Sequence, residues 1–250
     1  MRFVKTPDEI RRIQKTFARC HFLATRNLTV VFETTLEIVR QLLPPPLEPT
    51  PEPLGSAWVG QVENSNCVGP FLGAALYIKA RYKDIIGNYC VTMPMSTSEA
   101  VIFGRELYGE PKKLAQLDFS RDGNHVHASV TRQGVTIIEI VGNVTATLPT
   151  PPPYPLLHFW YKFLPAVSGK GFDAGPFLIT LHQTMKPESC ERVEGKLVLG
   201  DLPGTPVADL PILEQESMRY MMTSSEFFHV LEDVDIDPDE YAKHVAIQYR

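Results

Sequence analysis

Gly104-Arg105-Glu106-Leu107-Tyr108-Gly109-Glu110-Pro111-Lys112-Lys113-Leu114-Ala115 is the stretch on which the reading of this chain turns. Just upstream, Ser96 with Glu99 three residues on is a capping-box pattern, which predicts a helix through Val101, Ile102 and Leu107 ending near Gly109 and Pro111. Two lysines follow. Taken alone, such a pair reads as solvated surface.

Around this stretch the chain alternates short helices with many strands. Thr6 before Pro7, Asp8 and Glu9 opens a capped helix with Ile10, Ile13 and Phe17 on its apolar face, and Thr34 with Glu37 opens a second that Pro44 stops. Strand-like runs fall at Leu28 to Phe32, Ala74 to Ala80, Tyr89 to Met93, His125 to Thr131, Val135 to Val141, Phe177 to Leu181 and Val193 to Leu199. Asp122-Gly123-Asn124 and Gln133-Gly134 are hairpin breaks, and Asp237-Pro238 begins a last helix. The fold class expected is α+β and β-rich, a largely antiparallel sheet curled into a barrel or cone with a few short helices. Two proline clusters, Pro44 to Pro53 and Pro149 to Pro155, read as stiff connections within one domain spanning 1–250.

Composition excludes several functions. The chain has 250 residues, 44% hydrophobic and 21% charged, with net charge -5. Its charges are spread out, with no basic stripe for nucleic acid. No apolar run approaches the roughly 20 residues of a membrane helix, and the N-terminus lacks a signal-peptide core, so a cytoplasmic protein with no membrane partner is expected. Cys20, Cys67, Cys90 and Cys190 lie far apart, as reduced thiols do.

Metal sites fare poorly. Asp233, Asp235 and Asp237 resemble the start of a calcium loop, but Pro238 stands at the sharp-turn glycine and His244 at the bidentate glutamate. His125 and His127 offer only two ligands. There is no phosphate loop and no nucleophile elbow.

The lysine stretch resembles the active-site segment of the acetoacetate decarboxylase family, of the form G-R-E-L-x-x-x-P-K-K-L. That resemblance implies that Lys112, the first lysine, forms a Schiff base with a ketone, with Lys113 as its neighbour; acetoacetate decarboxylase is a standard example of a lysine activated in this way. Phe22 to Leu47 is similar to the family's N-terminal strand, which implies that Arg26 contacts the substrate carboxylate. Gly69 to Lys112 follows the family pattern without a gap, and Asp209-Leu210-Pro211-Ile212 resembles a segment near its C-terminus. Two acidic positions of the pattern are lost: the catalytic glutamate falls on Gly73 of Gly69-Pro70-Phe71-Leu72-Gly73, and a second acid falls on or near Trp58. The pocket is therefore expected to be roomier at Gly73 and more apolar at Trp58, with Phe71 in its wall. Glu33, Glu63 and His182 are the candidates to replace the lost acid, while Glu110 reads as solvated and Arg105 and Glu106 as scaffold through buried ion pairs.

An ordinary lysine of pKa about 10.4 is neutral only about once in 2,500 molecules at pH 7, and only the neutral amine attacks a carbonyl. If the lysine pair is extended, its side chains point to opposite faces, so Lys113 repels Lys112 weakly and desolvation has to supply most of the activation. The leading expectation is a Schiff-base lyase that decarboxylates a β-keto acid bulkier than acetoacetate, with no metal or cofactor. The alternatives are a Schiff-base aldolase or dehydratase, or an inactive small-molecule-binding relative. The resemblance also implies a homo-oligomer.

Overall fold

Hydrogen bonds at the helix starts show how closely local sequence sets the elements. Glu9 N–H donates to Thr6 Oγ1 and the Thr6 N–H donates back to Glu9, so α1 (Pro7–Ala18) opens on a full capping box. The next two caps fall one residue later than expected. α2 (Leu36–Leu42) is capped by Thr35 and α3 (Ser98–Ile102) by Thr97. In both cases the expected cap is still tied to the sheet: Thr34 N–H donates to Pro53 O and Ser96 N–H to Leu72 O. α3 runs on into a π-helical turn, Phe103–Tyr108, which ends at Gly109 with a φ of 76°.

This computed structural model describes residues 3–234 and 236–245, so Asp235 of the acidic stretch lies outside the described residues. The strands are β1 (Cys20–Glu33), β2 (Glu48–Pro49), β3 (Leu54–Ser65), β4 (Phe71–Tyr82), β5 (Ile85–Met95), β6 (Lys112–Leu114) and β7 (Gln116–Asp122). There follow β8 (His125–Arg132), β9 (Val135–Leu148), β10 (Tyr154–Pro165), β11 (Phe172–Leu199), β12 (Glu214–Asp233) and a last helix, α4 (Pro238–Val245). The twelve strands of the described residues belong to one sheet, ordered β10-β5-β4-β3-β1-β12-β11-β9-β8-β7, with β2 beside β4 and β6 beside β5. β10 also pairs with β11, so seven strands close into an irregular ring. Two pairings, β10–β5 and β5–β6, are parallel and the rest antiparallel. The predicted β-rich, mostly antiparallel class is correct, although two expected strands, Phe177 to Leu181 and Val193 to Leu199, are parts of the single long β11.

The first proline cluster is pinned to this ring. Tyr161 Oη donates to Pro44 O and Pro45 O at 3.2 and 3.0 Å, and β2, inside the cluster, pairs with β4.

β1 shows how the ring sorts its side chains. Leu28, Val30 and Phe32 are fully buried in one hydrophobic core, whereas Thr25, Asn27, Thr29 and Val31 face a cavity inside the ring. Phe22 faces that cavity too, although it is three residues from Thr25. The register against β12 slips between Phe22 and Thr25, and Ala24 there has a φ of 50°. This bulge adds one residue and exchanges the inner and outer rows of the strand.

Candidate active site

Lys112 enters the cavity because β6 lies parallel to β5, with Lys112 beside Met93. Its approach is fixed from several sides. Arg105 donates to Lys112 O at 3.1 Å, Trp160 Nε1 to Tyr108 O at 2.9 Å, and Lys162 Nζ to Leu107 O at 2.7 Å, so the carbonyls left open at the end of the π turn are satisfied. Arg105 thus positions Lys112 through its carbonyl oxygen, not through the buried ion pair expected, and Glu106 is exposed.

The central correction concerns Glu110. It is not solvated: Glu110 is 7% and Lys112 6% exposed, and Glu110 Oε2 lies 2.6 Å from Lys112 Nζ. Gly104 makes room for the pair. A methyl group there would overlap Glu110 Oε2 and come within 2.7 Å of Lys112 Nζ. His229 lies behind, with Nε2 4.0 Å from Glu110 Oε1 and its ring stacked on Tyr108 at 3.6 Å. Burial brings the His229 pKa down to about 4, against the pull of Glu110. Sequence reasoning missed His229, which lies far along the chain on β12 with no motif around it.

Lys113 points the other way, as an extended pair requires. It faces a separate cavity of about 100 Å³ lined by Leu76, Tyr89, Thr205 and Leu210, and donates to Gly204 O at 3.2 Å. Burial, then Arg132 and Arg105, lowers its pKa to about 8. It does not share the space of Lys112.

Arg26 also departs from expectation. The bulge at Ala24 turns it onto the outer row, where it is 45% exposed and paired with Glu63. The cavity positions beside it belong to Thr25 and Asn27. Gly73 has the right parity on β4 to face the cavity between Phe71 and Ala75, but Met95 fills its place: a Cβ there would meet Met95 Cε and Sδ at 3.1 Å. The expected extra room is thus occupied. Trp58 and Phe71 do line the cavity with Lys112, whose volume is about 340 Å³, within the range of small-molecule sites. None of the three expected replacement acids or bases lines it: Glu33 is exposed, Glu63 holds Arg26, and His182 stacks on Phe228.

Elsewhere, His127 Nε2 lies 3.0 Å from Glu139, and no group of three or more potential metal ligands occurs among the described residues. No described helix is long and apolar enough to cross a membrane.

The family model for acetoacetate decarboxylase matches residues 7–234, and so covers both the ring and the lysine turn. The chain belongs to the acetoacetate decarboxylase family. An acetoacetate decarboxylase of Burkholderia cenocepacia is 25% identical over 211 residues, covering 80% of this chain and 82% of its own. Among solved structures, acetoacetate decarboxylase from Legionella pneumophila superposes with a TM-score of 0.75 at 18% identity, covering 86% of this chain and 87% of its own. The enduracididine biosynthesis enzyme MppR gives 0.70 at 16%, with 87% and 88% covered. These structures share the acetoacetate decarboxylase-like fold. Membership of the family supports a decarboxylase-type lyase, within a fold that also carries acetoacetate decarboxylase-like enzymes such as one from Sphingomonas wittichii RW1.

Proposed function

We propose that this family member is a Schiff-base lyase that decarboxylates a β-keto acid bulkier than acetoacetate, with Lys112 as nucleophile and Glu110 as its proton partner. The 2.6 Å contact between Glu110 and Lys112 at the sealed end of a large apolar cavity carries the reading. Moving the proton from Lys112 to Glu110 leaves the net charge of the site unchanged and gives a neutral amine beside a neutral acid, the form that burial favours. The amine adds to the ketone. Glu110 returns its proton to the departing hydroxyl as water leaves, and a protonated imine remains.

The bond to the substrate carboxylate then breaks, its electron pair moving into the iminium as carbon dioxide departs. The resulting enamine takes a proton at carbon, and water hydrolyses the imine to release the ketone and restore Lys112. Met93, Met95 and Phe71 surround the reacting end with apolar groups, which favours loss of a charged carboxylate. Glu110 thus does the work of the acid missing at Gly73.

A second reading, aldol-type cleavage or dehydration through the same imine, is favoured by one observation. With Arg26 turned outward, no guanidinium among the described residues lines the cavity to hold a carboxylate next to the ketone. Borohydride reduction with a panel of keto acids, followed by peptide mapping and carbon dioxide detection, tests both. An adduct on Lys112 with carbon dioxide release is the expected result, and an adduct without gas favours the second reading. Modification elsewhere, or none with any keto acid, overturns the assignment of Lys112.

A further inference from the structure

The cavity has a direction. Its inner row on β4 runs Phe71, Ala75, Tyr77, Lys79. Gly73 pairs with Met95 and Leu76 with Thr92, which sets Met93 against Ala75, and Met93 is the partner of Lys112. Lys112 therefore stands level with Ala75, and Lys79 is four residues further along the strand, about 13 Å at 3.3–3.4 Å per residue.

Burial follows the same axis. Around Lys112 the lining residues Ala75, Met93, Met95 and Phe227 are buried and Trp58 is partly exposed, whereas around Lys79 the residues Leu54, Ser56, Asn88 and Tyr154 are partly exposed and His158, beyond Asn88, is buried. The reacting end is thus the floor and Lys79 stands toward the mouth. Besides Lys112, Glu110 and His158, Lys79 is the only ionisable acid or base among the described lining residues, setting aside tyrosine. Its ammonium is 3.4 Å from Glu52, which is 76% exposed, and such a contact yields readily to a better partner.

We propose that Lys79 is a specificity-determining residue that binds an anionic group, a carboxylate, at the tail of an elongated substrate whose carbonyl lies at Lys112. The inference rests on the reading of Lys112 as the imine-forming amine. It deepens that reading by placing a second charge on the substrate, remote from the bond that breaks. The stretch between, with Tyr77 and Val31 in its wall and Trp58 across from Ala75 at the Lys112 end, suits a hydrocarbon spacer. An exposed acid at the mouth, Glu52, disfavours anions until one displaces it from Lys79, so its removal strengthens binding of the tail.

Binding can be followed without chemistry, because Trp58 lines the cavity and its fluorescence reports an occupant. Two saturated chains of equal length, each with a ketone at one end and either a carboxylate or a primary amide at the other, are titrated into the unmodified protein and into Lys79→Met, Lys112→Met and Glu52→Gln. The expected result is tighter binding of the carboxylate, an advantage of about tenfold that Lys79→Met removes, Lys112→Met keeps and Glu52→Gln enlarges. Equal affinity for both probes, an advantage that survives Lys79→Met, or one that Lys112→Met abolishes overturns the proposal. Borohydride trapping with the same probes addresses Lys112 separately: if neither probe marks Lys112 although the carboxylate binds through Lys79, the catalytic reading fails and the tail site stands.

Discussion

Glu110 and Lys112 are two residues apart in sequence and hold their charged atoms 2.6 Å apart in a site from which each is more than nine-tenths excluded from solvent. Lys112 N–H donates to Glu110 O at 2.7 Å, so the backbone folds tightly over Pro111 and turns both side chains to one side. A pair so close and so dry can exchange a proton without exchanging anything with water.

Glu110→Gln keeps the shape and removes the proton acceptor. The rate of borohydride-trapped imine formation at Lys112 is expected to fall by about 10²- to 10³-fold, with ligand affinity read from Trp58 fluorescence nearly unchanged. A rate within threefold of the unmodified protein would show that Glu110 is not the proton partner.

Gly104→Ala puts a methyl group against that pair. Because the atoms it meets include Glu110 Oε2 and Lys112 Nζ and Cδ, the contact is relieved by moving the site. Activity is expected to drop at least about 10²-fold through misplacement of the amine, with the strand spectrum by circular dichroism retained. Full activity in this variant contradicts the packing described.

Arg26→Ala distinguishes the structure from the family pattern. On the outer row and paired with Glu63 at the surface, Arg26 is expected to contribute about 0 to 1 kcal/mol to stability and to leave kcat and KM within about threefold. A large rise in KM for keto acids would place its guanidinium in the cavity after all.

Acid should unfold this protein early. Burial lowers the pKa of His158 and of His229 to about 4, from 6.5. Between pH about 6.5 and 4 the unfolded chain therefore binds more protons than the folded one, and stability falls as pH falls. The contribution is complete above pH about 6.5 and is lost progressively toward pH 4, at most about 3 kcal/mol for each imidazole. Urea midpoints at pH 7.5, 6 and 5 measure this, and His158→Gln should flatten the slope; midpoints that do not change contradict it.

The fold class was legible in the sequence because hairpin breaks such as Gln133-Gly134 and caps such as Thr6 act locally, and the structure keeps both. Lys112 was legible through the family motif. What escaped was long-range or hidden in the backbone. His229 reaches the site only because β12 crosses the ring, and Glu110 reads as a surface acid until the turn around Gly109 folds it inward. Arg26 was misplaced for a third reason: parity along β1 depends on a bulge at Ala24 that no turn residue announces. Gly73 suggested a void because the identity of its neighbour across the ladder, Met95, depends on strand register.

That bulge has a consequence for how such a cavity can change. Deleting a single residue between Phe22 and Thr25 would remove the bulge and leave both rows as they are, whereas the same residues paired onward from Phe22 without a bulge would bring Arg26 inside in place of Asn27, converting the inner row of β1 from neutral to cationic. The charge this ring shows a ligand is therefore held by one residue of slack in β1, and not by the identity of any side chain in the cavity.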